Sequence, residues 1–537
     1  MEKNQKESVW NQIDMKVFVP GMAVILLVIA VGIFFPNQFY NALHTGVLWI
    51  MDHFKWFYIL LVILICGLFA AICFTKLGDI RLGGKKAKPS LKTSTWFTLS
   101  MTGTIAVGIC FYGVSGPVNM LMNPPSFMGV EAGTKEAIIP VLKYCYLHYA
   151  FPVFFIIVAF AMMIALIYYN GKRTLRANDT LYPLLGERSQ GVLGSVINTF
   201  SVVALLVTGT DMGLAVLQLN AGIGTVAGMS ETPSFEPYII LFYTVITILF
   251  ATSGVHKLMG KLSNINAIAY FVILGVILVF GAVGANRLLC TFFTSMGEFV
   301  RDFIPMISFG DPIDQTGWQT TATMYYYSWN IVPAFLHALF YVSIAYGRTL
   351  RQFILVNCVA PGLVTCLWYV LFGGSAMFGV VEGSGLYEKM QQFGDGIATF
   401  AFLETLPGGD ILKWLFILLA MMTFITYSDS KAFSFPMLFM KKTEVDASQT
   451  KVPKLMNAAI AIFMGALSFV LLYVGGYDAL SEMMVFLAFP FGILMFLIVL
   501  STIKMLMHRE KYDMTYIEEL EEEQKLTVQN EVSEKNP

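Results

Sequence analysis

One acidic residue stands alone in a long run of apolar and small residues, and it is the first candidate for chemistry. Asp211 lies within the segment VTGTDMGLAVLQLNAG. An acid inside an apolar helix is costly and usually faces a cavity, so a functional role is the default interpretation. Asp211 could pair with a substrate ammonium, ligate a cation or carry a proton. The alternative is a protonated or capped acid that only orders the helix.

Two further segments combine apolar residues with helix-breaking ones. Four glycines precede Pro117 in MTGTIAVGICFYGVSGPVNM, and Pro333 lies in the middle of MYYYSWNIVPAFLHALFYVSIAYGR. Interrupted membrane helices free backbone carbonyls for cations and amides for anions, and binding sites are often found at such breaks. Helix packing through small residues, or an incidental proline kink, would explain the same pattern without a site.

The elements that must position these residues are membrane helices. Only 13% of the 537 residues are charged and 57% are apolar, whereas an ordinary soluble domain carries about 25% charged residues. So few charges cannot cover the surface of a water-soluble fold, which excludes a soluble enzyme and a disordered chain. The net charge of −1 also argues against a nucleic-acid partner. The composition therefore indicates a polytopic protein whose partner is the lipid bilayer.

Twelve segments approach the length of about 20 apolar residues that a membrane helix needs. They are 17–35, 57–75, 96–118, 145–169, 197–222, 237–254, 267–286, 320–346, 353–373, 411–438, 455–475 and 480–506. Helices are expected because a backbone in lipid must satisfy its own hydrogen bonds, and the period-two alternation of a barrel is absent. The even-numbered connections hold 18 Lys and Arg residues, more than twice as many as the odd-numbered ones. This excess predicts that the even-numbered connections and both termini are cytoplasmic.

These spans divide the chain into six parts. They are a cytoplasmic N-terminus (1–16), two peripheral spans with a basic cytoplasmic loop (17–94), a first set of five spans (95–286), an extracellular amphipathic connection (287–319), a second set of five spans (320–506) and an acidic cytoplasmic tail (507–537). The polar start MEKNQKESVWNQIDMK is unlike a cleavable signal, so we expect the first span to be retained. We expect the connection to lie on the outer membrane surface and the acidic tail to be solvated, without binding anionic lipid.

Several motifs occur in a fixed order between about residues 95 and 435. They are STWFTLSMTGTIAVGICFYGVSGP, TLYPLLGERSQGVLGSVINTF, DMGLAVLQLNAGI, GVHKLMGKLSNIN, YGRTLRQFIL, LWYVLFGGSA and TYSDS. Together they resemble the betaine/choline/carnitine transporters, as a divergent member. The resemblance implies an all-α membrane protein with a leucine-transporter-like 5+5 inverted repeat, spans 3–7 and 8–12, behind two extra helices. It also implies a homotrimer in the plasma membrane that moves a small zwitterion by secondary active transport and alternating access.

The resemblance implies a substrate site formed by residues of spans three, four and eight. Aromatic boxes hold quaternary ammonium groups by cation–π attraction, worth about 0.5–2 kcal/mol for each good face. Trp329 matches a family Trp that contacts substrate, whereas Asn330 and Pro333 replace further tryptophans and Asn119 replaces a tyrosine of some members. The other residues assigned to the substrate site are Tyr326, Tyr327, Tyr144, Tyr146, Gly108 and Asp211.

Because several aromatic residues of the family box are replaced here, the sequence does not determine which substrate binds. A buried amide without partners costs roughly 1–3 kcal/mol, so Asn119 and Asn330 favour a ligand with N–H or hydroxyl groups, such as a less methylated amine or an amino acid. Alternatively, the tyrosines rebuild the box for trimethylammonium and Asn330 points into packing. A sensor that keeps the fold without transporting is a further alternative, because the glycine and tryptophan motifs are eroded.

The resemblance also implies a candidate sodium site between spans three and ten. The carbonyls of Thr102 and Ile105 and the hydroxyl of Thr426 match family ligands, and oxygen ligands suit a hard cation. Tyr427 replaces the second hydroxyl ligand, a serine, so sodium, proton and exchange mechanisms all stay open. No other cofactor is expected. The sequence contains no H-E-x-x-H, G-x-S-x-G, P-loop or channel filter, so we expect neither an enzyme nor a channel.

Overall fold

The chain is almost entirely helical wherever its structure is described. The computed structural model describes residues 13–102, 107–203, 205–228, 234–253, 256–441 and 454–535. Within those ranges the only extended pairings are two isolated bridges, Ile13 with Met440 and Arg81 with Thr349. Helices of this kind satisfy their backbone hydrogen bonds internally, as a lipid environment requires.

The helices in the first half of the chain lie within residues 15–308, the region of the predicted spans one to seven and the start of the connection that follows them. Its helices are α1 (Met15–Phe34), α2 (Pro36–Phe74), α3 (Thr93–Thr102), α4 (Val107–Met122), α5 (Ile138–Tyr149), α6 (Phe151–Ala165), α7 (Ala177–Thr180), α8 (Tyr182–Leu185), α9 (Val192–Val203), α10 (Leu205–Val226), α11 (Glu236–Ser253), α12 (His256–Phe280) and α13 (Ala285–Ser308). The non-helical residue Ala150 separates α5 from α6. Pro152 explains this break, because proline lacks the N–H that would continue the helix.

The second half is cut into shorter helices. They are α14 (Trp318–Thr321), α15 (Thr323–Ile331), α16 (Ala334–Ser343), α17 (Leu350–Ile354), α18 (Ala360–Trp368), α19 (Ser375–Val381), α20 (Leu386–Phe393), α21 (Ala398–Glu404), α22 (Gly409–Met437), α23 (Lys454–Met507), α24 (Arg509–Tyr512) and α25 (Met514–Lys535). A π-helical turn, Tyr369–Gly374, joins α18 to α19. Gly475 and Gly476 depart from helical geometry inside α23, so a kink separates the predicted segments 455–475 and 480–506.

Six described helical segments are long and apolar enough to cross a membrane. They are Met15–Phe34, Pro36–Phe74, Lys135–Asn170, Leu350–Val381, Gly409–Tyr427 and Ala458–Met507. A seventh is counted if Asn264–Phe280 and Ala285–Ser308, whose axes differ by 109°, form one span. These segments fit an all-α membrane protein, whereas the number of twelve spans and the inverted repeat stay predictions.

The two segments predicted to be interrupted behave differently. Val332 and Pro333 separate α15 from α16, as expected for a proline in mid-helix. By contrast, Pro117 lies inside the continuous helix α4, and residues 103–106, which precede α4, lie outside the described residues. Pro117 itself therefore does not end α4. An interruption between α3 and α4 would fall on residues outside the described ones, so the interruption of span three stays a prediction.

Close packing explains the two glycines before Pro117. A Cβ atom on Gly113 would lie 2.6 Å from Nε1 of Trp368, and one on Gly116 would lie 2.5 Å from the hydroxyl oxygen of Tyr149. Both distances are shorter than any normal contact, so only glycine lets α4 approach these aromatic side chains. The glycines thus position α4 against the residues that form the candidate site.

The acidic tail forms the helix α25, which lies against the basic loop after α2. Nζ of Lys85 lies 3.3 Å from Glu523 and 3.5 Å from Glu519, and Nζ of Lys86 lies 2.5 Å from Glu522. The sequence predicted a solvated tail but not this contact, because segments far apart in the chain are brought together only by folding. The negative charges of the tail are partly balanced by the chain's own lysines.

Candidate functional site

Seven aromatic side chains from five elements, Trp329 among them, form one connected set of ring and hydroxyl contacts. They are Tyr112 of α4, Tyr149 of α5, Tyr325, Tyr326 and Trp329 of α15, Tyr369 of the π-helical turn and Tyr477 of α23, and we call them the aromatic cluster. From the sequence, only Tyr326 and Trp329 of the seven were assigned to the substrate site, because the other five residues come largely from distant segments. Only the three-dimensional packing reveals them.

Trp329 lies at one side of the aromatic cluster and is partly exposed. Its ring centroid is 5.5 Å from that of Tyr325 and 6.1 Å from that of Tyr112, with interplanar angles of 74° and 89°. These edge-to-face arrangements are favourable for aromatic pairs. Tyr326, also partly exposed, stacks on His148 with a centroid separation of 4.7 Å. Partly exposed aromatic rings can attract an ammonium group through their faces.

Hydrogen bonds between hydroxyl groups hold the tyrosines of the cluster in place. Tyr149 donates to the hydroxyl of Tyr326 at 2.6 Å. The hydroxyl oxygens of Tyr112 and Tyr477 are also 2.6 Å apart. Pairing of this kind satisfies polar groups in an apolar setting, so the rings can be buried without loss of hydrogen bonds.

Two donors on neighbouring residues, one of them in the aromatic cluster, lack a partner in the described part of the chain. The hydroxyl of Tyr369 and the indole N–H of Trp368 are both buried. Tyr369 stacks on Tyr149 with a centroid separation of 4.6 Å, which places its ring in the cluster. A buried donor without an acceptor costs roughly 1–3 kcal/mol, so the hydroxyl of Tyr369 is suited to a ligand group that accepts hydrogen bonds.

The two asparagines assigned to the substrate site already have partners. Nδ2 of Asn330 donates to the carbonyl of Tyr326 at 2.7 Å, within its own helix. Nδ2 of Asn119 donates to both carboxylate oxygens of Asp395, at 3.0 and 2.9 Å. Neither amide nitrogen therefore requires a ligand to satisfy it.

Asp395 was not proposed from the sequence, where it is one acid in a connection between spans. In the structure it lies in the 3₁₀ turn Asp395–Ile397, between α20 and α21, and it is partly buried. Burial raises the pKa of Asp395 above its usual 3.8, and the hydrogen bonds from Asn119 oppose this effect. Only the long-range contact with Asn119 marks this carboxylate as part of the site.

Three tyrosines assigned to the substrate site lie in other environments. Tyr144 packs against Trp318, with a centroid separation of 5.3 Å. The hydroxyl oxygen of Tyr146 is 2.7 Å from Oγ of Ser295 on α13. Tyr327 is 1% exposed and is not among the ring pairs of the cluster. The sequence placed these residues near Trp329, but helix geometry directs neighbouring side chains to different faces.

Asp211 is buried and accepts a hydrogen bond from the hydroxyl of Tyr427. Tyr427 stands where the resemblance implies a serine ligand, and it is 216 positions from Asp211 in the chain. The side chain of Thr426 donates to the carbonyls of Met422 and Thr423, at 3.0 and 2.9 Å. The two unusual residues of spans five and ten are thus direct partners.

The remaining residues of the proposed cation and substrate sites are at the edge of what the structure describes. Thr102 is the last residue of α3 and Gly108 is the second residue of α4, whereas Ile105 lies outside the described residues. Within the described ranges, no group of three or more His, Cys, Asp or Glu side chains could hold a metal ion.

Known proteins similar to this chain are membrane transporters. The family described as "BCCT, betaine/carnitine/choline family transporter" matches residues 16–511. The glycine betaine transporter OpuD of Bacillus subtilis is 28% identical over 90% of this chain and 93% of its own length. The ectoine/hydroxyectoine transporter of Virgibacillus pantothenticus is 25% identical over 92% and 97%. The high-affinity choline transport protein of Escherichia coli K12 is 24% identical over 92% and 72%.

Proposed function

The chain belongs to the betaine/carnitine/choline transporter family, a family of membrane transporters and not of enzymes, and from that premise we propose what it carries. The substrate is a small zwitterion of the betaine type, moved across the plasma membrane by secondary active transport with alternating access. Relatives named for glycine betaine, ectoine and choline support this substrate class. We further propose twelve spans in a 5+5 inverted repeat, cytoplasmic termini and a homotrimer.

The aromatic cluster is the observation that carries the proposal. Trp329 and Tyr326 offer partly exposed ring faces, which suit the quaternary ammonium end of a zwitterion. The hydroxyl of Tyr369, whose ring stacks on Tyr149, is a donor without a partner in the described chain, which suits a carboxylate. A zwitterion would match both the ring faces and this donor.

The contacts of the asparagines bear on the alternative substrate. A less methylated amine or an amino acid was suggested by Asn119 and Asn330, whose amides would have needed the ligand. The bonds to Asp395 and to the carbonyl of Tyr326 meet that need internally. They favour the fully methylated class over the alternative.

We propose that Asp211 and Tyr427 belong to the site of the coupling cation. Their hydrogen bond joins spans five and ten, and a buried carboxylate supplies the negative charge that a sodium ion or a proton requires. In the family pattern, Thr426, Thr102 and Ile105 would supply oxygen ligands for sodium. Because we place either cation at or next to the Asp211 carboxylate, removing this carboxylate should uncouple transport.

Uptake by purified protein in proteoliposomes tests the proposed function. We expect labelled glycine betaine to accumulate when a sodium or proton gradient is imposed. Unlabelled glycine betaine should inhibit this uptake more strongly than its dimethyl, monomethyl and unmethylated analogues. Saturable binding without uptake under any gradient or in exchange would support the non-transporting sensor. Preference for the unmethylated analogue would support the amino-acid alternative.

A further inference from the structure

A polar cavity that shares no lining residue with the aromatic cluster lies between the basic loop after α2 and the start of the tail. Its volume is about 370 Å³, within the range of about 300–1,000 Å³ that is usual for small-molecule sites. Its charged walls are the cations Lys76, Arg81, Lys85 and Arg509 and the acids Asp79 and Glu519.

Both acids in the wall are already neutralised. Asp79 lies 2.6 Å from Nη1 of Arg351, a residue outside the cavity wall. Glu519 accepts from the backbone N–H of Lys85 at 2.6 Å and lies 3.5 Å from Nζ of the same residue. Neither carboxylate is therefore available to balance the other cations.

Two of the four cations remain unbalanced. Arg509 pairs with Asp513 at 2.9 Å. Lys76 and Arg81, by contrast, have no carboxylate within 4.0 Å in the described part of the chain, and Arg81 uses Nη1 to donate to the carbonyl of Gly347 at 2.6 Å. The cavity therefore carries two positive charges that no acid of the described chain compensates, and a guanidinium with further N–H groups to donate.

We propose that this cavity binds a phosphorylated anion with about two negative charges. Such an anion would balance Lys76 and Arg81, and a guanidinium matches the oxygens of a phosphate group in a fork-like geometry. The volume exceeds what a single inorganic phosphate fills, which favours a phosphate that carries a small organic group. The anion would contact both the loop and Arg509, so it would tie the tail to the rest of the molecule.

The phosphate can come from two sources. One is a soluble phosphorylated metabolite, and the other is the headgroup of an anionic phospholipid, since basic pockets beside membrane helices bind such headgroups. Phe74, the last residue of α2, is 89% exposed and lies two residues before Lys76. An exposed aromatic side chain at the end of a long apolar helix places the cavity close to the headgroup region.

Binding is tested with the full-length protein in lipid nanodiscs. In discs of phosphatidylcholine at low salt, inorganic pyrophosphate is titrated and followed by calorimetry. In discs that contain phosphatidylglycerol, the same titration is combined with native mass spectrometry of retained lipid. Saturable pyrophosphate binding in the neutral discs supports a soluble source. Retained phosphatidylglycerol that blocks pyrophosphate supports a lipid source.

Three variants decide whether the binding belongs to this cavity. Lys76→Gln removes one unbalanced charge and is expected to weaken either ligand about tenfold or more. Arg81→Lys keeps the positive charge but removes the bidentate hydrogen bonding of the guanidinium group, so a smaller loss of affinity is expected. Lys88→Gln is the control, because Lys88 is exposed on the same loop and is not part of the wall. Absence of binding by both probes, an unchanged affinity in Lys76→Gln, or an equal loss in Lys88→Gln would overturn the proposal.

Discussion

At the scale of the residue, Trp329 is the side chain most directly tied to the proposed substrate. Replacing it by Ala removes a ring face worth about 0.5–2 kcal/mol to a quaternary ammonium, so glycine betaine should bind about twofold to thirtyfold more weakly. Trp329→Phe should retain part of the affinity. Calorimetric titration of the purified variants measures the effect. Trp414→Ala is the matched control, because Trp414 is 58% exposed on α22, and equal losses in both variants would contradict the assignment.

The bond between Asp211 and Tyr427 predicts a separation of binding from coupling. Asp211→Asn removes the charge that a cation needs, so gradient-driven uptake should be abolished while betaine binding persists. Tyr427→Phe should weaken coupling less, because the carboxylate remains. Uptake under imposed sodium and proton gradients, together with binding, measures both effects. Asp52→Asn provides a control at a surface acid that is 83% exposed. Unchanged ion dependence in Asp211→Asn would count against the proposed coupling role.

We expect the raised pKa of Asp395 to make uptake depend on pH. Burial raises this pKa above 3.8, so the carboxylate takes up a proton at a higher pH than an ordinary aspartate as the medium is acidified. Loss of its charge removes attraction for an ammonium group, so KM for uptake should rise as the external pH falls toward the raised pKa. Asp395→Asn should show a high KM that does not change over the same window.

Asn119→Ala supplies the counterpart to that experiment. The amide of Asn119 lowers the pKa of Asp395, so removing this amide should shift the rise in KM to a higher pH. A profile that is identical in the native protein, Asp395→Asn and Asn119→Ala would exclude Asp395 from substrate attraction.

At the scale of the element, hydropathy predicted apolar helices, of which six or seven in the described chain are long enough to cross a membrane. Pro333 correctly predicted the break between α15 and α16. Composition could not tell that Pro117 stays within α4, because the sequence of glycines is compatible both with a break and with close packing. The packing partners of Gly113 and Gly116 come from distant elements, which a single sequence does not reveal. The same limit applies to the aromatic cluster, of which α15 alone was apparent from its run of aromatic residues.

The docking of α25 on the basic loop predicts a salt-sensitive element. The pairs with Lys86 lower the pKa of Glu522, and the tail glutamates raise the pKa of Lys85. Since surface pairs are screened by salt, amide exchange in α25 should increase with ionic strength. Lys85→Glu combined with Lys86→Glu should give fast exchange already at low salt, whereas Lys88→Glu should not. Equal exchange in the native protein and the double variant would show that other contacts hold α25.

Acidification should act on the same element in a defined direction. The pKa of Glu522 is depressed in the folded chain, so its contribution to docking is present above the usual value of 4.5 and is lost as the pH falls through the lower, folded value. The exchange experiment at mildly acidic pH should therefore still show a docked helix.

At the scale of the whole molecule, the proposed orientation can be tested with the chain's own cysteines. Among the seven, Cys290 on α13 is exposed, whereas the other six are buried or partly buried. If the excess of Lys and Arg in the even-numbered connections fixes the orientation, α13 faces the outside. A membrane-impermeant maleimide should then label Cys290 in intact cells, and Cys290→Ser should abolish labelling.

A second cysteine on the predicted opposite side of the membrane provides the complementary measurement. Lys88→Cys in the Cys290→Ser background puts a thiol on the exposed part of the basic loop, which should react only after the membrane is permeabilised. With an odd number of spans between the two positions, their accessibilities must be opposite. Labelling of both positions in intact cells would contradict the span count, and reversed accessibility would contradict the orientation. The latter result would also place the phosphate cavity and the tail outside the cell, where the anions of the cytoplasm could not reach them.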